Sequence, residues 1–159
     1  MVDLNIVTER LKELSLRIAK VRALCPAEPE RLVDDVLDLV SFNLFLAVQT
    51  CVDLATHLIS DEGWAPAATA REAFERLTEH RVISQETLRA LRQAIGLRNI
   101  VAHGYSGVEP ILVHGAARTG LPDLERFAAE LSAWVWPTGT QAPESPDFSP
   151  SAGSPEEAG

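Results

Sequence analysis

The chain has 159 residues, of which 46% are hydrophobic and 23% charged, and its formal net charge is −9 at pH 7. This length and composition fit one globular domain of ordinary size. The excess of acid excludes the broad basic surface of a general nucleic-acid coat protein, because phosphate binding gathers Lys and Arg on one face. A local basic cleft remains compatible with it.

The last 23 residues, 137–159, differ in composition from the rest of the chain. They hold five Pro, three Gly, four Ser and four acids, with no Lys or Arg. Such a composition predicts a disordered tail, and residues 1–136 then form the single folded domain. That domain carries 14 basic against 19 acidic residues.

Features that mark other protein classes are missing from the sequence. The N-terminus is charged and has no apolar signal-peptide core. The longest uncharged run, 39–52, is short of the ~20 apolar residues of a membrane-spanning helix. Cys25 and Cys51 form no C-x-x-C pair, which argues against a zinc site or a disulfide framework. We therefore expect a cytoplasmic protein with no membrane, metal or cofactor requirement.

The first half of the chain predicts two long helices. Apolar residues alternate at spacings of three and four from Leu4 to Cys25, which predicts an amphipathic helix that Pro26 ends. A second helix is expected from near Pro29 to about Ser60. Its apolar residues lie on most sides of the axis, so it is either central or faces a second subunit.

Two shorter helices follow, each with a capping signal. Thr69 and Glu72 have capping-box spacing and open a third helix that fades near His80. Ser84 is placed to cap a fourth helix, for which Gly104 is a C-terminal stop.

A glycine-rich loop is predicted next, and then a fifth helix that Pro122 and Asp123 open. Only residues 111–113 suggest a strand. The fold class predicted is all-α, a bundle of four to five helices.

The end of the fourth helix gathers groups that fit catalysis. Arg98, Asn99, His103 and Tyr105 lie within eight residues. At 100° per residue Asn99 and His103 share a face, whereas Arg98 lies about 140° away from His103 around the axis. One helix therefore does not aim Arg98 and His103 at one atom. Two copies that meet across a dimer, or a helix that loosens near Gly104, bring them together more readily.

Those side chains suit the cleavage of a phosphodiester bond. A histidine removes a proton from a ribose 2′-hydroxyl or donates one to the departing oxygen, and an arginine holds the phosphate, so no metal is required. The pattern alone favours a structural interpretation, with Arg98 in a surface ion pair and His103 ending a helix.

The segment LRNIVAHGY, with LVSFNLFLAVQTCVDLATHLI before it and LPDLERFAAEL after it, resembles the HEPN superfamily and, within it, the HepT-like toxins. The motif of that group is R-x-x-x-x-H followed by x-Y, and Arg98, His103 and Tyr105 match it. Asn99 matches the Asn that commonly follows the Arg. The resemblance spans roughly residues 4–135.

The resemblance implies a function for each of these residues. It implies a metal-independent endoribonuclease toxin with a HEPN-like fold, which acts as a homodimer and cuts RNA at a shared cleft. His103 would be the acid and base, Arg98 would hold the phosphate, and Asn99 would orient the site. The implied antitoxin is a minimal nucleotidyltransferase that transfers AMP from ATP to Tyr105, which places negative charge where RNA phosphate must bind.

Two alternatives remain. In the first, the chain is a non-catalytic helical interaction module that binds a nucleotidyltransferase-like partner or a nucleotide. In the second, it is an ordinary helical bundle in which the Arg98 segment is structural. The apolar excess of helix 2 predicts a large protein interface for the module as well as for the toxin.

Other polar and aromatic residues are weaker candidates. Asp53 and His57 are predicted to form a local i, i+4 pair on helix 2. His80 and His114 are expected in solvated loops, and make a poor metal site. A local excess of arginine in residues 71–98 is either an RNA-facing rim or a solvated face. Three tryptophans are expected in packing rather than base stacking: Trp64, Trp134 and Trp136.

Overall fold

In the computed structural model, which describes residues 1–104 and 107–138, the chain is all-helical. The predicted fold class is therefore confirmed. The α-helices are α1 (Leu4–Leu24), α2 (Asp34–Asp61), α3 (Ala70–Glu79), α4 (Gln85–His103), α5 (Pro110–Gly115) and α6 (Leu121–Val135). A 3₁₀ turn at Pro29–Arg31 precedes α2, and a π-helical turn at Ala116–Gly120 joins α5 to α6.

Helix α1 has the predicted bounds and the predicted buried face. The Asp3 carboxylate caps it by accepting hydrogen bonds from the Asn5 and Ile6 amides. The middle of its apolar stripe, from Val7 to Val21, is buried or half-buried, whereas Leu4 at its start is exposed, and α1 shares its most extensive contact with α2. Cys25 is the C-cap, one residue before Pro26.

The predicted start of helix 2 is wrong by five residues. Pro29 opens the 3₁₀ turn instead, and the chain bends before α2 begins at Asp34, where φ is +47°. The Val33 side chain makes no capping hydrogen bond. The carboxylates of Asp34 and Asp35 in the first turn instead interact favourably with the positive end of the helix dipole.

Helix α2 is the central element and contacts α1, α3, α4, α5 and α6. By length and composition it is apolar enough to cross a membrane, but more than half of its most apolar stretch is buried in the bundle, as in the core helix of a soluble protein. Beside it, the core is closed by Phe74 of α3 and Phe127 of α6, which are fully buried and meet edge to face at 5.8 Å.

The caps of α3 and α4 are confirmed. Thr69 Oγ1 accepts a hydrogen bond from the Glu72 amide at 3.1 Å, and Glu72 in turn accepts from the Ala68 amide. Ser84 Oγ accepts from the Thr87 amide at 3.2 Å. The Ser84 cap fixes where α4 begins, and the predicted site lies at the other end of this helix.

Residues 110–120, predicted as a loop with a possible strand at 111–113, are helical. Pro110 fits the first turn of α5, where a missing N–H costs nothing. His114, expected in a solvated loop, is half-buried in α5, and its Nε2 lies 3.0 Å from the carbonyl oxygen of Pro26. Glycine spacing suggested a loop, but burial of Val113 and Ala117 outweighs the weak helix propensity of this segment.

The predicted disordered tail lies outside the described residues, apart from its first two, Pro137 and Thr138. The division into a 1–136 domain and a 137–159 tail stays a prediction.

Candidate active site at the end of α4

The candidate site lies at the C-terminal end of α4, which packs on α2 through a buried stripe. Leu88, Leu91 and Ile95 form that stripe. Beyond Ile95 the helix leaves the core, so Asn99 and His103 are exposed and Arg98 is half-buried beside α2. Core packing thus fixes the helix, and its end presents polar groups to solvent.

The Arg98 guanidinium is held by amide oxygens. Its Nη1 donates to Oε1 of Gln49 on α2 at 3.2 Å. Its Nε and Nη2 donate to Oδ1 of Asn99 at 3.3 Å and 3.1 Å. Among the described residues no carboxylate forms an ion pair with it, so the guanidinium is oriented while its charge stays unneutralised. The structural alternative, in which Arg98 forms a surface ion pair, has no carboxylate partner among residues 1–104 and 107–138.

Sequence reasoning missed Gln49. This residue lies in the middle of the apolar part of α2, and its Nε2 donates to Oδ1 of Asp53 at 3.0 Å. An amide in an apolar run, one helical turn before a carboxylate, was the available signal. Asp53 therefore contributes to the site indirectly, through Gln49.

The predicted pair between Asp53 and His57 is wrong. His57 Nε2 lies 3.1 Å from Oδ2 of Asp61, one turn further along α2, and Asp53 bonds Gln49 one turn earlier. The i, i+4 spacing was the right rule, but it applied to the neighbouring turns.

His103 occupies the last turn of α4 and is exposed. Within residues 1–104 and 107–138, no hydrogen bond or ion pair joins it to Arg98 or Asn99. The structure therefore joins Arg98 to Asn99. Helical spacing places His103 about 140° from Arg98 but on the same face as Asn99, and no bond joins the two residues of that face.

Gly104 ends α4 for a steric reason. Its φ of −81° is open to any residue, but a Cβ built there would lie 2.7 Å from the carbonyl oxygen of Ile100 and 3.1 Å from Val108 Cγ2. The returning chain thus packs against the last helical turn too closely for a side chain. Tyr105, the predicted AMP acceptor, lies outside the described residues.

A groove of about 600 Å³ opens between the start of α2 and the end of α4. Asp38, Ser41 and Phe42 line it from α2, and Ala102 and Gly104 line it from the turn that carries His103. Ser41 Oγ is buried there without a hydrogen-bond partner among the described residues.

An exposed apolar stripe runs along α2 beside this groove. Its members are large side chains at three-residue spacing, each at least one-third exposed: Val33, Val36, Leu39 and Phe42. Ile100 on α4 is also exposed. Such a stripe next to a polar site is typical of an interaction surface.

Neither cysteine is a candidate nucleophile. Burial raises the pKa of the Cys51 thiol, which is fully enclosed in the core, and burial also raises the pKa of Cys25. No group of three or more His, Cys, Asp or Glu side chains in the described part of the chain is placed to hold a metal ion.

The remaining candidates of the sequence take up structural roles at the other end of the bundle. Trp64 stacks on His80 at 3.7 Å and meets Trp134 edge to face at 5.7 Å. Arg76 and Arg92 of the predicted basic rim are paired with glutamates. These contacts support packing for the tryptophans and reduce the charge available to RNA on that face.

Comparisons with known proteins identify the family. The model of the HepT-like family, described as ribonuclease HepT-like, matches residues 14–131. A relative from Shewanella oneidensis, named mRNA nuclease HepT, is 28% identical over 96 residues, which are 60% of this chain and 72% of the relative. A tRNA nuclease HepT from Aphanizomenon flos-aquae is 24% identical over 92 residues, 58% of this chain and 63% of the relative.

A solved structure shares the fold. It is that of a tri-AMPylated Shewanella oneidensis HEPN toxin in complex with its MNT antitoxin. The TM-score is 0.74 at 24% identity, and the match covers 84% of this chain and 99% of that toxin. The predicted HEPN-like helical fold is confirmed.

Proposed function

Because the chain belongs to the HepT-like family of ribonucleases, we propose that it is a metal-independent endoribonuclease toxin of a toxin–antitoxin pair. The observation that carries the proposal is an oriented Arg98 guanidinium, whose charge no carboxylate of the described residues neutralises, on the same helix end as an exposed His103 imidazole. The nuclease names of two relatives support the same chemistry. The acceptor and donor set fits RNA cleavage, and a cytoplasmic location is part of the proposal.

The reaction uses the 2′-hydroxyl of the substrate as the nucleophile. His103 as the base removes the 2′-proton, the 2′-oxygen attacks phosphorus, and the bond to the 5′-oxygen of the next nucleotide breaks as that oxygen takes up a proton from protonated His103 as the acid. Arg98 stabilises the charge that develops on the phosphate oxygens. Asn99 orients Arg98. The products are a 2′,3′-cyclic phosphate and a 5′-hydroxyl end.

The working form is a homodimer. Arg98 and His103 diverge around α4 by about 140°, so a second copy of the helix is needed to put both groups on one phosphate. The exposed stripe of α2 and the exposed Ile100 supply apolar surface beside the site for that contact.

Control by an antitoxin is the second part of the proposal. A minimal nucleotidyltransferase transfers AMP from ATP to the hydroxyl of Tyr105 and releases pyrophosphate. The AMP phosphate then lies two residues from His103 and competes for the positive charge of Arg98. The AMP groups on the Shewanella toxin, and its MNT partner, support this step.

The test is incubation of the purified protein with total RNA in excess EDTA. We expect RNA cleavage to continue in EDTA and to yield 2′,3′-cyclic phosphate ends. His103→Ala should lower the cleavage rate about 10²–10⁴-fold. Tyr105→Phe serves as the matched variant, since it cuts RNA but accepts no AMP.

The negative outcome is equally defined. Intact RNA after treatment with dimeric protein, whose Tyr105 is shown by mass spectrometry to carry no AMP, would overturn the nuclease and favour the interaction module. An equal rate of cutting after treatment with a nucleotidyltransferase and ATP would overturn the control by AMP.

A further inference from the structure

Among the described residues, arginines whose guanidinium groups are hydrogen-bonded are held in two different ways. Arg76, Arg92 and Arg126 each donate to a carboxylate at 2.6–3.1 Å, which orients and neutralises them. Arg98 donates three hydrogen bonds, all to amide oxygens. Arg17 also meets an amide, that of Asn43, but through a single bond. Of these two arginines, Arg98 therefore has the more extensive hydrogen bonding to amides.

The Gln49 amide lies between Asp53 and Arg98, and only one orientation of the amide bonds both of these residues. A guanidinium has donors only, and an ionised carboxylate has acceptors only. With Asp53 as its neighbour, Gln49 turns its NH₂ group toward the carboxylate at 3.0 Å. Its oxygen is then left to face Arg98 at 3.2 Å. The carboxylate of Asp53 therefore fixes the amide orientation.

A carboxylate in the place of Gln49 would act differently. It would hold Arg98 in the same position but would compete with RNA phosphate for the guanidinium, since both are anions that accept the same forked donors. An amide gives orientation and leaves the charge for an incoming anion. The Arg98 side chain is half-buried beside α2. This burial restricts its conformations and so lowers the entropy that the side chain loses when it binds a phosphate.

We propose that Gln49 is a positioning residue of the nuclease site: it transmits the orientation set by Asp53 to Arg98 while it keeps negative charge off the guanidinium. This proposal rests on the proposed function, since it needs Arg98 to bind the scissile phosphate. It assigns a role in the reaction to α2, whose residues lie outside the R-x-x-x-x-H motif.

Two substitutions separate orientation from charge. Gln49→Met keeps the length of the side chain but accepts no hydrogen bond, so we expect the single-turnover cleavage rate to fall about tenfold with RNA affinity within about twofold of wild type. Gln49→Glu adds a competing carboxylate. We expect weaker RNA binding, and a slope of log affinity against log salt that is smaller by about 0.7, as for one lost phosphate contact on a single strand.

Binding is measured in the His103→Ala background with a fluorescein-labelled single-stranded RNA, so that the probe is not cut. Gln85→Glu is the matched control because it adds the same charge at the exposed start of α4, about 20 Å from Arg98 along the helix. It should change neither the cleavage rate nor the salt slope. In an Arg98→Ala background, Gln49→Met should cause no further loss of cleavage.

A structural role for Gln49 predicts other results. Both variants would then melt at a lower temperature, cut RNA normally when folded and keep the wild-type salt slope, and this would overturn the proposal. If wild type itself cuts no RNA, the proposed function fails. The Arg98 Nε–H signal in a ¹⁵N NMR spectrum then decides separately: we expect a sharp signal that Gln49→Met broadens, and a signal unchanged by that substitution would overturn the positioning role.

Discussion

The two ends of α4 carry similar side chains in opposite electrostatic settings. At the start, Thr87 Oγ1 accepts a hydrogen bond from Arg126 Nε at 2.9 Å, and the same guanidinium donates to Glu86 and Asp123. At the finish, Arg98 donates to amides only, and His103 faces solvent.

This difference separates arginines that hold the fold from an arginine that is available to a ligand. At the first end the Arg126 guanidinium of α6 bonds the Glu86 carboxylate of α4 and the Asp123 carboxylate of its own helix, so the contact joins α4 to α6. At the second end the support is neutral, and under the proposed function an RNA phosphate supplies the missing negative charge. Pairing chemistry, rather than exposure alone, distinguishes the two ends.

The largest effect is expected from a substitution at the C-terminal end of α4, where the candidate site lies. Arg98→Ala should lower RNA cleavage about 10²–10³-fold, because one charged donor to the transition state is lost. Thermal melting should stay close to wild type, since the guanidinium is half-exposed and bonded only to amides. Arg92→Ala on the same helix is the control; it removes the pair with Glu75 and should leave cleavage unchanged. Unfolding or loss of the dimer in Arg98→Ala would instead favour a structural role for this segment.

A smaller effect is expected at the structural end. Thr87 is fully buried, and Thr87→Val keeps its shape but leaves Arg126 Nε without its acceptor. We expect a loss of about 1–3 kcal/mol in the free energy of unfolding, measured in urea, with unchanged cleavage by the folded protein. Thr56→Val, at an exposed position of α2, should stay within about 0.5 kcal/mol of wild type. A fall in cleavage for the buried variant would mean that the two ends are coupled.

The smallest effect tests a carboxylate-paired arginine on the surface. The Arg22 guanidinium bonds Glu125 and holds the pKa of that carboxyl below its ordinary value. The stabilisation from this pair is therefore present above the ordinary carboxyl pKa and is lost as pH falls through the lowered pKa. Glu125→Gln should cost less than about 1 kcal/mol at pH 7, because both side chains are half-exposed.

Urea unfolding at several pH values checks this prediction. The difference in unfolding free energy between wild type and Glu125→Gln should shrink as the solution becomes acidic. A difference that grows on acidification would contradict the assigned sign.

Sequence patterns located most helices because local rules decide them. The caps at Thr69 and Ser84, and the stop at Gly104, depend on neighbours within four residues, so they were readable from the sequence. The bend before Asp34 and the helix at 110–120 depend instead on contacts with distant elements, which periodicity does not contain.

The candidate site shows the same limit. Arg98, Asn99 and His103 were found because they are close in sequence, and the resemblance to a family gave them roles. Gln49 was missed because its partner is 49 residues away and belongs to another helix. The Asp53–His57 pair failed because spacing alone offers several partners on one helix face, and only the packing of α2 selects among them.

The close packing at Gly104 has a genetic consequence. Every other amino acid carries a Cβ, so each missense mutation of this codon would force the chain against the carbonyl of Ile100 and shift the turn that holds the histidine. In a culture whose growth the protein arrests, survivors should therefore accumulate changes at this codon although glycine has no chemistry of its own. Gly96, with open space around it, offers no such route of escape.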